Sequence, residues 1–256
     1  MGFKRCCIIL LPLIGFAAAA QNPEAAKTEI WSPEPPSVTP GEGGEPPSDA
    51  EILFDGTDLS AWESVDHPGQ QAGWTVADGI LTVKKGTGNI QTRKSYQDYQ
   101  LHLEWRVPET ITGEGQSRGN SGIFLASTGP GHEGYELQIL DCYRNKTYVN
   151  GQAGSVYKQA APLVNPCRKP GEWQSYDVIW TAPRFGEKGQ LTAAARVTLL
   201  FNGVLVQNGF ELMGETLWIG TPSYHAHGRL PIKLQDHPDP SPPVSFRSIW
   251  LRDLSR

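Results

Sequence analysis

An antiparallel β-sandwich is the fold class this sequence predicts, on three observations. Short runs alternate apolar and polar residues with a period of two, the signature of strands with one face in a core and the other outward. The clearest is residues 99–107, with Tyr99, Leu101, Leu103, Trp105 and Val107 on one face and Gln100, His102, Glu104 and Arg106 on the other. Turn residues sit between such runs: Asn202-Gly203 separates residues 196–201 from 204–207, and Ala77-Asp78-Gly79 separates 73–76 from 79–83. After the first twenty residues no helical period of useful length appears, and 28 glycines and 21 prolines punctuate the chain. Connections that short leave no room for crossover helices, which disfavours an α/β sheet. No internal repeat is visible.

Taken in order, the chain opens with Lys4 and Arg5, an apolar run over residues 6–16, and the small residues Ala17, Ala18, Ala19 and Ala20. A basic start, a run too short to span a bilayer and a small-residue end predict a cleavable secretory signal at residues 1–20. The expected product is exported, to the periplasm or the extracellular space, with no membrane span. Cys6 and Cys7 stand at the front of the apolar run, which argues against a lipid-modified mature terminus. Cleavage leaves 20 basic groups against 27 acidic ones, a net charge near −7, so no basic patch favours nucleic acid. It also leaves Cys142 and Cys167 alone. In an oxidising compartment these are candidates for a disulfide that stabilises by about 3–4 kcal/mol in the chain-entropy model; two free buried thiols are the alternative. Their spacing makes no zinc motif. Residues 21–49, with seven prolines up to residue 48 and few apolar residues, read as a disordered linker unable to bury enough surface to offset chain entropy. Residues 50–256 then make one sandwich domain. Its further expected strands are residues 173–180, 217–219, 232–235 and 244–251.

The stretch from Gly119 to Asp141 carries the main chemical signal. Two runs, residues 123–125 and 135–139, flank a segment holding Gly129, Pro130, Gly131 and Gly134, as two strands and a loop do. Tyr135, Leu137 and Ile139 then point to one face, Glu136 and Gln138 to the other. A carboxylate and an amide on a polar sheet face suit a carbohydrate, which offers hydroxyl donors and acceptors. The plainer reading is a solvated outer face. If residues 99–107 belong to the same sheet, Glu104 and Arg106 share that face with Glu136 and Gln138. Two carboxyls and an arginine there would split their pKa values into an acid and a base; otherwise they form a surface pair worth under about 1 kcal/mol.

Gln235-Asp236-His237 is a second candidate. A histidine at a strand end can act as a base or a metal ligand, with its other ring nitrogen oriented by a carboxylate, although a loop Asp-His is more often simply solvated. Tyr157-Lys158 offers a hydroxyl and a cation, or an ordinary snorkelling lysine. His225 and His227 read as exposed loop residues. Of the eight tryptophans, most read as core, and none stands out as a sugar-stacking platform.

Six segments in order carry a family resemblance: residues 51–62 (EILFDGTDLSAW), 73–81 (GWTVADGIL), 99–106 (YQLHLEWR), 119–124 (GNSGIF), 135–141 (YELQILD) and 246–249 (FRSI). Together they resemble the 3-keto-disaccharide hydrolase domain family of exported bacterial proteins, across residues 51–256. The resemblance implies a concanavalin A-like jelly roll of the lectin/glucanase type and cleavage of 3-keto-disaccharides or 3-keto-glucosides. It implies a cleft lined by Glu104, Arg106, Asn120, Glu136, Gln138, Asp141 and Gln235 to His237. A ketone at C3 acidifies the C2 proton, so a base can form an enolate that expels the glycosidic oxygen from C1, and water can then add to the enone. On this chemistry Glu136 or His237 is the base, Arg106 or Lys158 stabilises the enolate, and Asp141 is the acid. A divalent metal on carboxylates and His237 could take the stabilising role instead.

Two other readings share the fold. A laminarinase-type endoglucanase carries Glu-x-Asp-x-Glu or a one-residue-longer variant on one strand. Here Glu136, Gln138 and Asp141 give the nearest match, with glutamine in the middle and Asp141 on the opposite parity unless a bulge intervenes. A lectin-like binding module needs the groove but no poised acid and base.

Overall fold

The computed structural model describes residues 23–255; the expected leader at residues 1–20 lies outside them. Fifteen strands follow one another. They are β1 (Glu51–Phe54), β2 (Trp62–Ser64), β3 (Thr75–Ala77), β4 (Ile80–Thr82), β5 (Ile90–Thr92), β6 (Tyr99–Arg106), β7 (Ser121–Phe124) and β8 (Glu136–Ile139). The second half contributes β9 (Gln174–Thr181), β10 (Arg184–Phe185), β11 (Leu191–Ala193), β12 (Arg196–Phe201), β13 (Val204–Glu211), β14 (Lys233–Leu234) and β15 (Ser245–Asp253). Eight form an antiparallel sheet in the order β13-β12-β9-β6-β15-β4-β3, with β1 added on β15. Five form a second sheet, β2-β5-β14-β7-β8, and β10 pairs with β11. Residues 217–219, expected as a strand, are an exposed loop instead.

The core lies between the two sheets and follows the alternation. Tyr99, Leu101, Leu103 and Trp105 of β6 and Tyr176, Val178 and Trp180 of β9 are buried with Tyr135, Leu137 and Ile139 from the β8 side. Apolar burial of this extent is the main stabilising term. Two buried phenols are satisfied across it: Tyr99 donates to the Leu125 carbonyl (2.6 Å) and Tyr176 to the Gln138 carbonyl (2.7 Å). Tyr135 packs against Trp180 at 5.4 Å between ring centroids. The result is the concanavalin A-like jelly roll that the resemblance implies. Cys142 and Cys167 are bridged, with Cα atoms 5.8 Å apart, tying the chain just after β8 to the approach to β9.

Residues 23–37 belong to a unit separate from the sandwich, and Pro23–Ala26 is a single helical turn there. The sandwich unit begins at Val38, not at residue 50. Residues 38–49, expected as disordered linker, form an arm against the outer face of the large sheet. Trp250 Nε1 donates to the Gly44 carbonyl (2.9 Å), and Arg252 grips Asp49 through two bonds of 2.7 Å. Composition missed this because the arm is ordered by its partners, His102 and Trp250, whose rings stack at 5.2 Å. That cover explains why His102, on the outward parity of β6, is only 3 % exposed.

Candidate active site

The outward face of the five-stranded sheet is the floor of a cavity of about 460 Å³. Register aligns Glu63, Gln91, Lys233, Phe124 and Glu136 in one cross-strand row. In the next row Gln235 donates its amide to the Gly122 carbonyl (3.0 Å), and Gly122 faces Gln138. Side chains in such rows are nearest neighbours on one face, so Glu136 and Gln138 share the cavity with Gln235, as their parity predicts.

Gly122 makes room for Glu136. A Cβ on residue 122 would sit 2.5 Å from Glu136 Oε1, so only glycine lets the carboxyl lie over β7. Glu136 is 5 % exposed. Burial raises its pKa to about 8, with the Lys233 cation partly opposing the rise. At neutral pH it is therefore a protonated acid. Lys233 is fully buried, lies 4.3 Å from the centroid of the Phe124 ring, and donates to the carbonyls of Gly129 (3.0 Å) and Glu133 (2.8 Å). Burial lowers its pKa to about 8, while Glu133 and, when ionised, Glu136 oppose the fall.

His237 stands on the cavity wall with a carboxylate behind it. Its Nδ1 is 3.1 Å from Asp239 Oδ2, and its Nε2 is 3.4 Å from Asn120 Nδ2. Burial alone would raise the Asp239 pKa, but hydrogen bonds from His237, Ser241 and Lys85 hold it well below the ordinary carboxylate range. A permanent carboxylate on Nδ1 fixes the proton there and leaves a lone pair at Nε2, the arrangement of a general base. The orienting group is thus Asp239, not the expected Asp236. Asp236 instead accepts the amides of Gly86 (2.7 Å) and Gly88 (3.1 Å), in a neighbouring groove. Gln138 donates to Asn120 Oδ1 (2.8 Å), and Asn120 to the Gln116 carbonyl (2.8 Å), so both amides are fixed in place.

Other expected residues lie elsewhere. Glu104 and Arg106 belong to the large sheet, on its outer face, and cannot share a face with Glu136. Glu104 pairs with Arg247, and Arg106 lies 4.5 Å from the centroid of the Trp173 ring. Asp141, the expected acid, is buried in an ion pair with Arg118, because β8 ends at Ile139 and the chain turns before it. Lys158 is at the rim, where its Nζ donates to the Trp218 carbonyl (3.0 Å).

Three groups were missed. His132, in the loop before β8, lines the cavity with its Nδ1 2.6 Å from Gln235 Nε2. Trp218 is 70 % exposed at the rim, an indole face open to the cavity that the sequence alone did not single out. Tyr148 lines the cavity beside Tyr157, their hydroxyls 2.7 Å apart. The signal for Trp218 was its place among Gly214, Gly220 and Pro222, which read better as a loop than a strand. Among the described residues no three His, Cys, Asp or Glu side chains converge as metal ligands. The donor set does not fit a divalent ion.

A two-sheet jelly roll with an aromatic-rimmed cavity on the outer face of one sheet is a ligand-binding class of domain. A Parabacteroides distasonis ATCC 8503 protein assigned as a candidate glycosyl hydrolase is 54 % identical, with a TM-score of 0.83, over 90 % of this chain and 96 % of that one. A second such protein from the same organism shares the fold at 21 % identity and a TM-score of 0.60, over 81 % and 94 % of the two chains. No curated protein matches the chain. The model of the 3-keto-alpha-glucoside-1,2-lyase-like domain matches residues 49–252, and the chain belongs to that family.

Proposed function

We propose that the protein cleaves glycosidic bonds of 3-keto-sugars by elimination across C1 and C2, followed by hydration. The observation that carries this reading is the composition of the cavity: among its lining residues Glu136 is the only carboxyl, beside the Asp239-backed His237. Glycosidases that pass through an oxocarbenium ion need two carboxyls across the scissile bond, and with Asp141 held by Arg118 the laminarinase-type arrangement lacks its second one. Elimination needs one base and one acid, and the site has one of each.

His237 Nε2 takes the C2 proton, and the C2–H electrons pass toward the C3 carbonyl to form the enolate. The enolate collapses to a C1–C2 double bond as the C1–O bond breaks, and protonated Glu136 gives its proton to the departing oxygen. The products are an enone sugar and the free aglycone alcohol; proton transfer from His237 back to Glu136 resets the site, and water added across the double bond yields the free 3-keto-sugar. The aromatic rim of Tyr148, Tyr157 and Trp218 suits the apolar faces of a glycoside. Export belongs to the same reading, supported by the leader pattern and the Cys142–Cys167 bridge; N-terminal sequencing of protein recovered outside the cytoplasm should begin near Gln21.

Turnover in heavy water tests the elimination. The 3-keto-glycoside should release its aglycone and the recovered 3-keto-sugar should carry deuterium at C2, while the unoxidised glycoside stays intact. Absence of deuterium at C2, or equal cleavage of the unoxidised glycoside, would overturn the mechanism; binding without any cleavage would favour the lectin-like alternative.

A further inference from the structure

Elimination makes a third demand, for a donor facing the C3 oxygen as it gains charge, and neither Glu136 nor His237 is free to meet it. We propose that His132, as a neutral imidazole with its proton on Nε2, donates that hydrogen bond and is a third catalytic residue. The inference rests on the elimination reading and adds the group that reading leaves unassigned.

The tautomer follows from a neighbour. Gln235, 2 % exposed, places its side-chain nitrogen 2.6 Å from His132 Nδ1. In this orientation the amide nitrogen donates to Nδ1 while Gln235 Oε1 stays buried without a partner, and the proton of a neutral ring then sits on Nε2. The imidazolium is disfavoured: burial lowers the pKa of His132, and His237 and Lys233 lower it further. A neutral imidazole polarises a carbonyl without the mismatch of a strong acid against a carbonyl oxygen, and it cannot quench the enolate by full proton transfer as readily as an imidazolium.

Position follows from the loop. Lys233 Nζ holds the carbonyls of Gly129 and Glu133 on either side of His132. Gly134, at φ +127°, crosses so close to Ala126 that a Cβ would lie 2.3 Å from its carbonyl oxygen. The ring is thereby fixed on the cavity wall 6.3 Å, centroid to centroid, from that of His237. Two imidazoles at that spacing can each reach about 3 Å to adjacent positions of one sugar ring, the C2 proton for His237 and the C3 oxygen for His132.

The test separates this role from the elimination itself by using a 3-keto-sugar with no leaving group at C1, in which C2 deuterium exchange reports enolisation alone. His132→Ala should slow both that exchange and cleavage of a 3-keto-glycoside by roughly 10²–10³-fold, and His132→Gln, which can still place an N–H donor, should recover at least about tenfold of the loss. Nitrogen-15 NMR of the sugar-free wild-type protein at pH 7 should show His132 protonated at Nε2 and bare at Nδ1, which keeps the question open to measurement even if the alanine variant does not fold. An Nδ1-protonated or doubly protonated ring overturns the proposal, as does wild-type exchange in His132→Ala while the wild-type enzyme cleaves normally. Wild-type protein that neither exchanges nor cleaves 3-keto-sugars removes the elimination and this role together.

Discussion

Glu136 has two measurable consequences, one in catalysis and one in stability. As the acid for the leaving group, its loss in Glu136→Gln should lower turnover of an alkyl 3-keto-glycoside by roughly 10²–10⁴-fold, and by under about tenfold when the aglycone is a nitrophenol that leaves without protonation. Equal losses on both substrates would contradict an acid role. Burial raises its pKa from 4.5 to about 8, so the folded state holds the proton more tightly than the unfolded chain. The stability this gives is complete below pH 4.5 and declines as pH rises to about 8. Glutamine has no such term. The melting temperature of Glu136→Gln should therefore draw level with or exceed that of wild type as pH rises from 5 to 8.5, and a gap that does not change with pH would refute the shift.

At the scale of the element, the pair β7 and β8 builds the site by leaving something out. Gly122 has no positive φ to demand glycine; what demands it is the Glu136 carboxyl lying where a Cβ would be. Because the obstructed atom is the end of a side chain, Gly122→Ala should fold with a melting temperature within about 3 °C of wild type yet lose roughly 10²-fold in turnover. A fully active variant would show that the carboxyl need not lie there. The same pair shows what alternation can reveal. It separated Glu136 and Gln138 from Tyr135, Leu137 and Ile139 without error, because the pleat fixes the face of every residue. It left Glu104 and Arg106 undecided, because a sandwich has two outward faces and period two does not say which sheet a strand joins; the cleft position that the resemblance implied for them is not the one they hold. His237 was legible as a strand-end histidine, whereas Asp239 was hidden in a proline-rich loop whose path only the fold determines.

Across the whole molecule, the large sheet was the more legible half: β6, β9 and β12 are long and alternate cleanly, and β15 is long though broken by a register shift, while β2, β5 and β14 of the small sheet have two or three residues each and little pattern to read. The arm of residues 38–49 was illegible for a different reason, being polar in composition and ordered by contacts with distant strands. Removing residues 1–37, a separate unit, should leave the melting temperature unchanged within about 2 °C. Removing residues 1–49 uncovers Trp250 and breaks the Asp49–Arg252 pair, and should lower it by roughly 4–10 °C. Calorimetry on the two truncations compares them directly, and equal values would mean that the arm contributes nothing to the fold.

Trp218 also makes the cleft optically addressable. Five of the eight indoles, Trp62, Trp74, Trp105, Trp180 and Trp250, are buried, while Trp31 and Trp218 are 76 % and 70 % exposed. In a Trp31→Phe background, collisional quenching by acrylamide should act chiefly on Trp218, and a bound sugar stacked on it should reduce that quenching in a saturable way. Trp218→Phe should abolish the response. Emission would then report occupancy at the mouth of the cavity under conditions where no bond is broken, so an inactive Glu136→Gln protein could still be titrated with its intact glycoside.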